Sequence, residues 1–213
     1  MDTAAMIYEL KIALWELSYG FWKTQVLFSP RWWSLVVLIA VAYLIWWGLV
    51  EKRRLSQILL FGSFVATGRI VMDLVGNNMV LWSYDIRELP LSPSPFFHDL
   101  TVTPLALMLV YQYTHSWRKF LVWAAVTVGS ITFVFFPALM AFGFLKYYHW
   151  QHTYSFVLII GIAVTARAVL IGILQLEQRS RRVYASDPAT GPLFPQPAMK
   201  PLDRKDREDC DKE

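Results

Sequence analysis

The sequence predicts an all-α fold, a polytopic bundle of about five transmembrane helices preceded by an amphipathic helix that lies in the membrane interface. Composition is the first observation, because the 213 residues are 56% hydrophobic and only 17% charged. Charge distribution is the second, since residues 177–213 hold sixteen charged side chains and leave about 11% charge in residues 1–176, against roughly 25% in soluble domains. The third is a set of apolar stretches that approach the ~20 helical residues needed to cross a bilayer.

The five predicted spans form one transmembrane bundle over residues 32–176. Each is an apolar run of nearly helix-spanning length. They cover residues 32–50, 56–82, 99–115, 119–145 and 154–176. The third is short, and it follows a connector from Leu89 to Pro95 that contains three prolines.

A separate N-terminal region, residues 1–31, is predicted to form an amphipathic helix. Apolar side chains recur at helical spacing between the charged residues Glu9, Lys11, Glu16 and Lys23, so the segment is too polar for a span. This pattern favours a helix in the outer membrane interface. A helix packed on a partner protein is the alternative that the pattern leaves open.

Basic side chains near the ends of the spans predict the orientation. Eight fall on one predicted side: Lys52, Arg53, Arg54, Arg118, Lys119, Arg179, Arg181 and Arg182. The two connectors on the other side carry only Arg87 and Lys146, and the N-terminal region adds three more. Because the cytoplasmic side of a membrane protein carries the excess of Lys and Arg, the N-terminus is predicted outside and the C-terminus in the cytoplasm. The predicted location is the plasma membrane, and the lipid bilayer is the main predicted partner.

Residues 177–213 are predicted to form a disordered cytoplasmic tail. Five prolines lie between Pro188 and Pro201, and a mixed-charge run follows, so the segment cannot bury an apolar core. Three arginines at its start are predicted to attract anionic lipids by about 1 kcal/mol each, namely Arg179, Arg181 and Arg182.

The same composition argues against several classes of function. A disulfide framework needs more than the single Cys210. The basic residues are scattered rather than clustered, which argues against nucleic-acid binding. The sequence contains no nucleophile elbow, phosphate loop or zinc-protease helix motif, so no catalytic residues, no metal site and no cofactor are predicted.

Charged residues inside the spans are the main candidates for a functional site, because an Arg or Asp at the centre of a membrane helix costs about 2.5 to 3.5 kcal/mol on insertion. Arg69 and Asp73 lie four residues apart on the second span, so they are predicted to share a face and can pair directly. Arg167 on the fifth span is predicted at a similar depth. One hypothesis joins the three in a ligand site for an anion or proton; the other gives Arg69 and Asp73 a structural ion pair, while Arg167 either bonds to backbone carbonyls or snorkels toward the inner membrane surface.

Four polar residues near the predicted outer surface are further candidates. His98 and Asp99 open the third span, where Asp99 is predicted to cap a helix, with a proton-transfer pair as the alternative. His149 and His152 have a spacing that suits two metal ligands, but no nearby acid or Cys completes a site. They are therefore interpreted as polar residues of an aromatic girdle at the membrane surface.

Pro137 lies inside the fourth span and is predicted to kink it, because proline removes a backbone hydrogen bond and clashes with the preceding turn. The sequence leaves open whether the kink is a hinge or a packing feature.

Short runs along residues 8–176 occur in a recognisable order. They are Leu27 to Trp33, Ile45 to Leu55, Asp73 to Gly76, Leu81 to Tyr84, Tyr111 to Tyr113, Ser116 to Phe120 and Tyr154 to Phe156. This order resembles an uncharacterised family of small multi-pass integral membrane proteins of spore-forming Gram-positive bacteria. The resemblance implies the helical topology and no chemistry. The chain departs from the family at Phe136, where a glutamate is usual, and at Val157, where a proline is usual.

Three functional hypotheses follow. A non-enzymatic membrane protein, acting as a scaffold, sensor or accessory subunit, is favoured because the sequence has no catalytic constellation. The alternative is a small carrier or channel in which Arg69, Asp73 and Arg167 line a path for an anion or a proton. The third is a membrane enzyme that acts on a lipid-like substrate at the outer face, through His98, Asp99, Asp85 or Glu88. A partner membrane protein or a second copy of the chain is compatible with all three.

Overall fold

The computed structural model describes residues 2–90 and 98–186 and is mostly helical, which confirms the predicted all-α class. Most of the Pro-rich connector before the third predicted span lies outside the described residues, and so does the predicted tail from residue 187 onward. The side chains of His98, Arg181 and Arg182 lie outside them as well.

The chain divides into two compact units, Met1–Ile171 and Gly172–Glu213. The described part of the second unit is the C-terminal end of one long helix. The sites discussed below lie in the first unit.

The described elements follow the chain in a simple order. The helices are α1 Thr3–Phe21, α2 Pro30–Leu49, α3 Leu55–Asn78, α4 Thr103–Tyr113, α5 Trp117–Ser130, α6 Phe136–Ala141 and α7 His152–Ser186. The strands are β1 Trp82–Tyr84, after α3, and β2 Leu145–Tyr147, after α6. Wide π-helical turns follow α1, precede α4 and join α5 to α6, at Trp22–Val26, His98–Val102 and Ile131–Phe135.

Local sequence signals explain where two of the long helices begin. Ser29 caps α2 by accepting a hydrogen bond from the backbone N–H of Trp32 at 3.2 Å, and Pro30 occupies the first helical position. Ser116 caps α5 in the same way through the N–H of Lys119. A hydroxyl at these positions satisfies one of the backbone donors that the first helical turn leaves unpaired.

Four helical segments are long and apolar enough to cross a membrane: Pro30–Leu49, Lys52–Asn78, Trp117–Ala141 and His152–Ser180. They coincide with the first, second, fourth and fifth predicted spans. At the third, a π-helical turn of 5 residues leads into the 11 residues of α4, a rise of about 24 Å. The third predicted span is therefore shorter than the other four, as its sequence suggested.

The long helix α7 corrects the predicted start of the tail. Residues 177–186, expected to be disordered, continue this helix to Ser186. Glu, Gln and Arg predominate just after residue 176, and these straight-chain residues have a high helix propensity. Arg179 is exposed on this extension.

The N-terminal helix α1 contributes no side chain to the core. Burial begins only at the turn after it, where Val26 is 3% exposed and the indole Nε1 of Trp22 donates to the carbonyl of Arg87 at 3.1 Å. The helix thus occupies Thr3–Phe21 of the predicted region 1–31, and the contacts of Trp22 and Val26 attach it at its C-terminal end.

The short helix α4 lies at the centre of the core. It packs against α2, α3 and α5, and seven of its residues are buried. The ring of Tyr111 stacks on Phe61 of α3 with centroids 4.7 Å apart, and Phe120 of α5 meets Phe61 edge-on at 6.1 Å. Gln112 joins α4 to the end of α2, since its amide accepts from the N–H of Glu51 at 2.7 Å and donates to the carbonyl of Leu49 at 3.0 Å.

The two strands pair into an antiparallel ribbon, with Trp82 opposite Tyr147 and Tyr84 opposite Leu145. The N–H of Tyr148 extends the pairing through the carbonyl of Leu81 at 2.9 Å. The ribbon joins the connector that carries Arg87 to the connector that carries Lys146. The distribution of basic residues predicts that these two connectors lie on the same side of the bundle.

The end of α3 directs β1 toward the core. The N–H of Leu81 bonds to the carbonyl of Gly76 at 2.9 Å and that of Val80 to Asn77 at 3.0 Å, a Schellman arrangement in which Val80 has a φ of 55°. This left-handed position usually holds glycine, so the β-branched valine is strained. The chain then turns back and lays the Trp82 ring over Gly76.

Pro137 lies at the start of α6, directly after the π-helical turn Ile131–Phe135. The fourth predicted span is thus irregular where proline removes a backbone donor, as expected of a kink site. A wide turn at this point shifts the hydrogen-bond register around the missing N–H.

We expect Gly76→Ala to destabilise the protein by about 1 to 3 kcal/mol, because an added Cβ would overlap the Trp82 ring. That ring has little freedom to move, since Asp73 holds its Nε1 and Trp150 packs at 4.8 Å. Gly62→Ala is the matched control, because there the Cβ meets only the flexible end of Met108. Thermal unfolding in detergent checks this, and equal losses of Tm in both variants would contradict it.

Candidate functional site: a buried charge cluster

Arg69 on α3 forms a buried ion pair with Asp99. Its Nη2 lies 2.8 Å from Asp99 Oδ1, and the two side chains are 3% and 0% exposed. Sequence spacing had suggested Asp73 as the partner. Asp73 is a buried neighbour on the same helix, but no ion pair within 4.0 Å joins it to Arg69 in the described part of the chain. The ion-pair partner of Arg69 is therefore Asp99, which is distant in sequence, and not Asp73 on the same helix.

Asp73 instead accepts two hydrogen bonds from the ribbon. The indole Nε1 of Trp82 donates to its Oδ1 at 2.7 Å, and the hydroxyl of Tyr84 donates to the same oxygen at 2.6 Å. Both donors are buried on one face of β1, two residues apart, as the period of a strand requires. The ribbon therefore supplies partners that α3 cannot provide.

Tyr84 lies outside the candidate spans, and its ionisation is suppressed. Burial, reinforced by the negative charges of Asp73 and Asp99, raises the pKa of this phenol well above its usual range. The hydroxyl consequently keeps its proton and remains a hydrogen-bond donor to Asp73.

Asp99 does not cap α4, which corrects the prediction made from its sequence. The residue lies within the π-helical turn before α4, and Val102 occupies the N-cap position without a side-chain bond. The wide turn moves the helix start past Asp99 and leaves its carboxylate to contact Arg69. The side chain of its predicted companion His98 is not among those described.

The cluster formed by Arg69, Asp73, Asp99, Trp82 and Tyr84 is closed. It borders a cavity of about 10 Å³, barely the space of one water, lined also by Phe136, Leu145 and Tyr147. One guanidinium faces two carboxyl groups. Several buried atoms lack a hydrogen-bond donor or acceptor among the described residues: Arg69 Nε, Asp73 Oδ2 and both Asp99 oxygens. For Asp99 Oδ1 the 2.8 Å approach of Arg69 is a close ionic contact rather than a well-aligned hydrogen bond.

Arg167 on α7 is satisfied by a different set of groups. Its Nη2 donates to the backbone carbonyls of Thr114 and His115 at 3.4 and 3.2 Å, just after α4 ends. Its guanidinium lies 4.4 Å from the ring centroid of Phe120 and 4.9 Å from that of Trp117. Carbonyl and aromatic partners are those expected for a cation without a carboxylate. The hypothesis that Arg167 bonds to backbone carbonyls is confirmed.

Arg69 and Arg167 do not share a site. Asp99 and Thr114, their respective contacts, are separated by the π-helical turn and α4 together, about 22 Å. Ser155, which lines the cavity beside Arg69, also precedes Arg167 by about 18 Å along α7. The predicted match in depth is wrong, because it took Glu177 as the end of a helix that extends to Ser186.

The two histidines of the 146–153 connector lie in different surroundings. The described residues contain no group of three or more His, Cys, Asp or Glu side chains that could hold a metal ion. His152 packs against Tyr147 with ring centroids 5.0 Å apart, and its buried Nδ1 has no described partner. His149 is exposed and bonds through its backbone to Leu81.

Sequence reasoning missed Trp82, Tyr84 and the role of Asp99. The alternation Trp-Ser-Tyr is a signal of a strand that presents two aromatic donors to one face, but three residues are too few to be read as a strand. The contact of Asp99 with Arg69 had no local signal, because it joins residues on separate elements.

We expect Tyr84→Phe to lower stability by roughly 1.5 to 3 kcal/mol, because Asp73 would lose one of its two donors inside the core. Tyr148→Phe is the control, since this hydroxyl is exposed where it meets Ser83 at 3.1 Å, and its loss should cost under about 0.5 kcal/mol. Thermal melts of the two variants in the same detergent would test the difference, and similar shifts would argue against the hydrogen bond.

We expect Arg167→Lys to cost about 1 to 2 kcal/mol, because an ammonium cannot stack on Phe120 while bonding two carbonyls. The exposed Arg118→Lys should leave the Tm within the change expected of a surface substitution, about 0.5 kcal/mol. If Arg167→Lys melts like the wild type, the stacked geometry carries no stability.

No protein-family model, no curated protein and no solved structure matches this chain. The geometry of the described residues is therefore the basis for its functional assignment.

Proposed function

We propose that the chain is a non-enzymatic integral membrane protein, a scaffold, sensor or accessory subunit, in which the buried charge cluster fixes the packing of α3, α4 and the ribbon. The observation that carries the proposal is the closure of the cluster. Arg69 and Asp99 are almost inaccessible, and the adjoining cavity of about 10 Å³ has no room for an anionic substrate.

The surface of the helices supports a location in the bilayer. Large apolar side chains project from different candidate spans, and Leu44, Val122, Val134 and Val157 are each more than 60% exposed. Contiguous apolar surface of this kind is rare on soluble monomers. In a bilayer, lipid tails cover it at no cost.

The orientation with the N-terminus outside and the C-terminus in the cytoplasm is part of the proposal, as is a plasma-membrane location. The ribbon supports this orientation by bringing the connectors with Arg87 and Lys146 together, away from the basic groups Lys52–Arg54 and Arg118–Lys119.

Membership of the small multi-pass family described above is also proposed. Phe136, where that family usually has a glutamate, lines the cavity beside Arg69 and makes it less polar.

A carrier of protons is a second candidate, favoured by one observation. The cluster holds two carboxyl groups for one guanidinium, and three of the four carboxylate oxygens have no described hydrogen-bond donor. A site with more carboxyl groups than guanidinium groups is suited to binding a proton. The separation of Arg69 from Arg167 gives no support to a continuous path.

A double-mutant cycle on Arg69 and Asp99 tests the structural role. Removing one member of a buried ion pair typically costs about 3 to 5 kcal/mol, and we expect Arg69→Gln to cost more than Asp99→Asn because it leaves two carboxyl groups without a cation. The double variant should be more stable than the sum of the single losses predicts. Additive losses in Tm would contradict a packing role for the pair.

Reconstitution into proteoliposomes separates this proposal from the carrier. We expect proton and chloride flux to equal that of protein-free vesicles. A flux that Asp73→Asn abolishes, in a variant that still folds, would replace the scaffold with the carrier. Asp85→Asn is the control, because Asp85 lies outside the cluster and pairs with Lys146 at 2.6 Å.

A further inference from the structure

A groove lies between the C-terminal end of α1 and the connectors of the ribbon. Two adjoining cavities of about 330 and 510 Å³ form it, and Phe21, Val26 and Asp85 line both. Cavities of this size are within the range that holds small ligands. The groove is remote from Arg167, and its function is not explained by the packing role proposed above.

The charge of the groove is strongly unbalanced. Arg87 lines the smaller cavity, and Arg31 and Lys146 line the larger, whereas Asp85 is the one acidic residue among the lining residues described. Asp85 is engaged by Lys146 at 2.6 Å. Within the described residues, neither arginine has a carboxylate within 4.0 Å.

Arg87 is held in place and partly desolvated. Its Nε donates to the carbonyl of Tyr84 at 2.8 Å, while its own carbonyl accepts from the indole of Trp22. Burial lowers the pKa of Arg87, and the charge of Asp85 opposes that effect. A guanidinium fixed in this way gains from an anion that restores the lost hydration.

Apolar side chains line the groove together with the charged ones. Leu17 and Phe21 of α1 line the smaller cavity and are 73% and 46% exposed, while the buried Val26 lines both cavities. Apolar and cationic surfaces side by side complement an amphiphile with an anionic head.

We propose that this groove binds the phosphate-bearing headgroup of an anionic lipid. Arg31 and Arg87 bind the phosphate, and Leu17 and Phe21 contact the first part of the acyl chain. Guanidinium groups suit this role because they meet phosphate oxygens with paired donors. The inference rests on the membrane location proposed above, but not on the scaffold role.

Lipid retention by the purified full-length protein in a neutral detergent tests the site. We expect native mass spectrometry to show phosphatidylglycerol retained over phosphatidylcholine with the same chains, and phosphatidylglycerol to raise the Tm. Inorganic phosphate at equal concentration should give a much smaller shift. An equal shift with phosphate would mean a free-anion site, and equal retention of both lipids would mean packing of the chains alone; either result overturns the proposal.

Matched variants assign the binding to the groove. Arg31→Gln with Arg87→Gln should weaken phosphatidylglycerol binding at least about tenfold, because two charge-assisted contacts are lost. Lys11→Gln with Lys23→Gln removes the same charge from α1 and the turn after it, outside the groove, and should change binding less than about twofold. Equal weakening by both pairs would mean general attraction to anionic lipid and would overturn the site.

A gain-of-binding variant keeps the test decisive if the arginine variant fails to fold. Asp85→Asn removes the acidic residue of the groove and frees Lys146, so phosphatidylglycerol should bind several-fold more tightly. Unchanged or weaker binding by this variant would contradict the proposal. Neither outcome depends on the flux and stability measurements that test the scaffold role.

Discussion

A guanidinium buried in an apolar interior needs a partner that compensates its lost hydration, and for Arg69 the carboxylate of Asp99 meets this requirement. Leaving either charge alone costs several kcal/mol, so the pair constrains where α3 and the turn before α4 can lie. The short helix α4 is thereby held at the centre, where its Tyr111 stacks on Phe61 of α3.

The ribbon completes the cluster from outside the helices. Trp82 and Tyr84 bond one oxygen of Asp73, and the turn at Val80 that brings them inward is strained. Strain of about 1 to 3 kcal/mol persists where the surrounding structure requires it. Connectors that would otherwise be surface loops thus become part of the interior. The same connectors carry Arg87 and Lys146 of the groove, and Tyr84 lines both the groove and the cavity beside Arg69.

The two buried arginines illustrate two ways of placing a cation away from water. Arg69 uses a carboxylate from a distant element, whereas Arg167 uses two carbonyls at the end of α4 and the faces of aromatic rings. The second arrangement needs no compensating acid, because carbonyl dipoles and ring quadrupoles supply the negative potential. Among the described residues, the site of Arg69 accordingly holds two carboxyl groups, whereas no ion pair involves Arg167.

The sequence alone determined the helical class and the positions of four long apolar helices, because an apolar run is a local pattern. It also determined where α2 and α5 start, because a capping residue acts on the few positions that follow it. It also identified Arg69, Asp73 and Arg167 as exceptional, since a charge in an apolar run needs a partner. The tertiary structure alone decided which partner each one has. Arg69 contacts Asp99 thirty residues away, and Asp73 contacts a ribbon too short to be read from its sequence, because spatial proximity between elements depends on how the helices pack and leaves no local pattern.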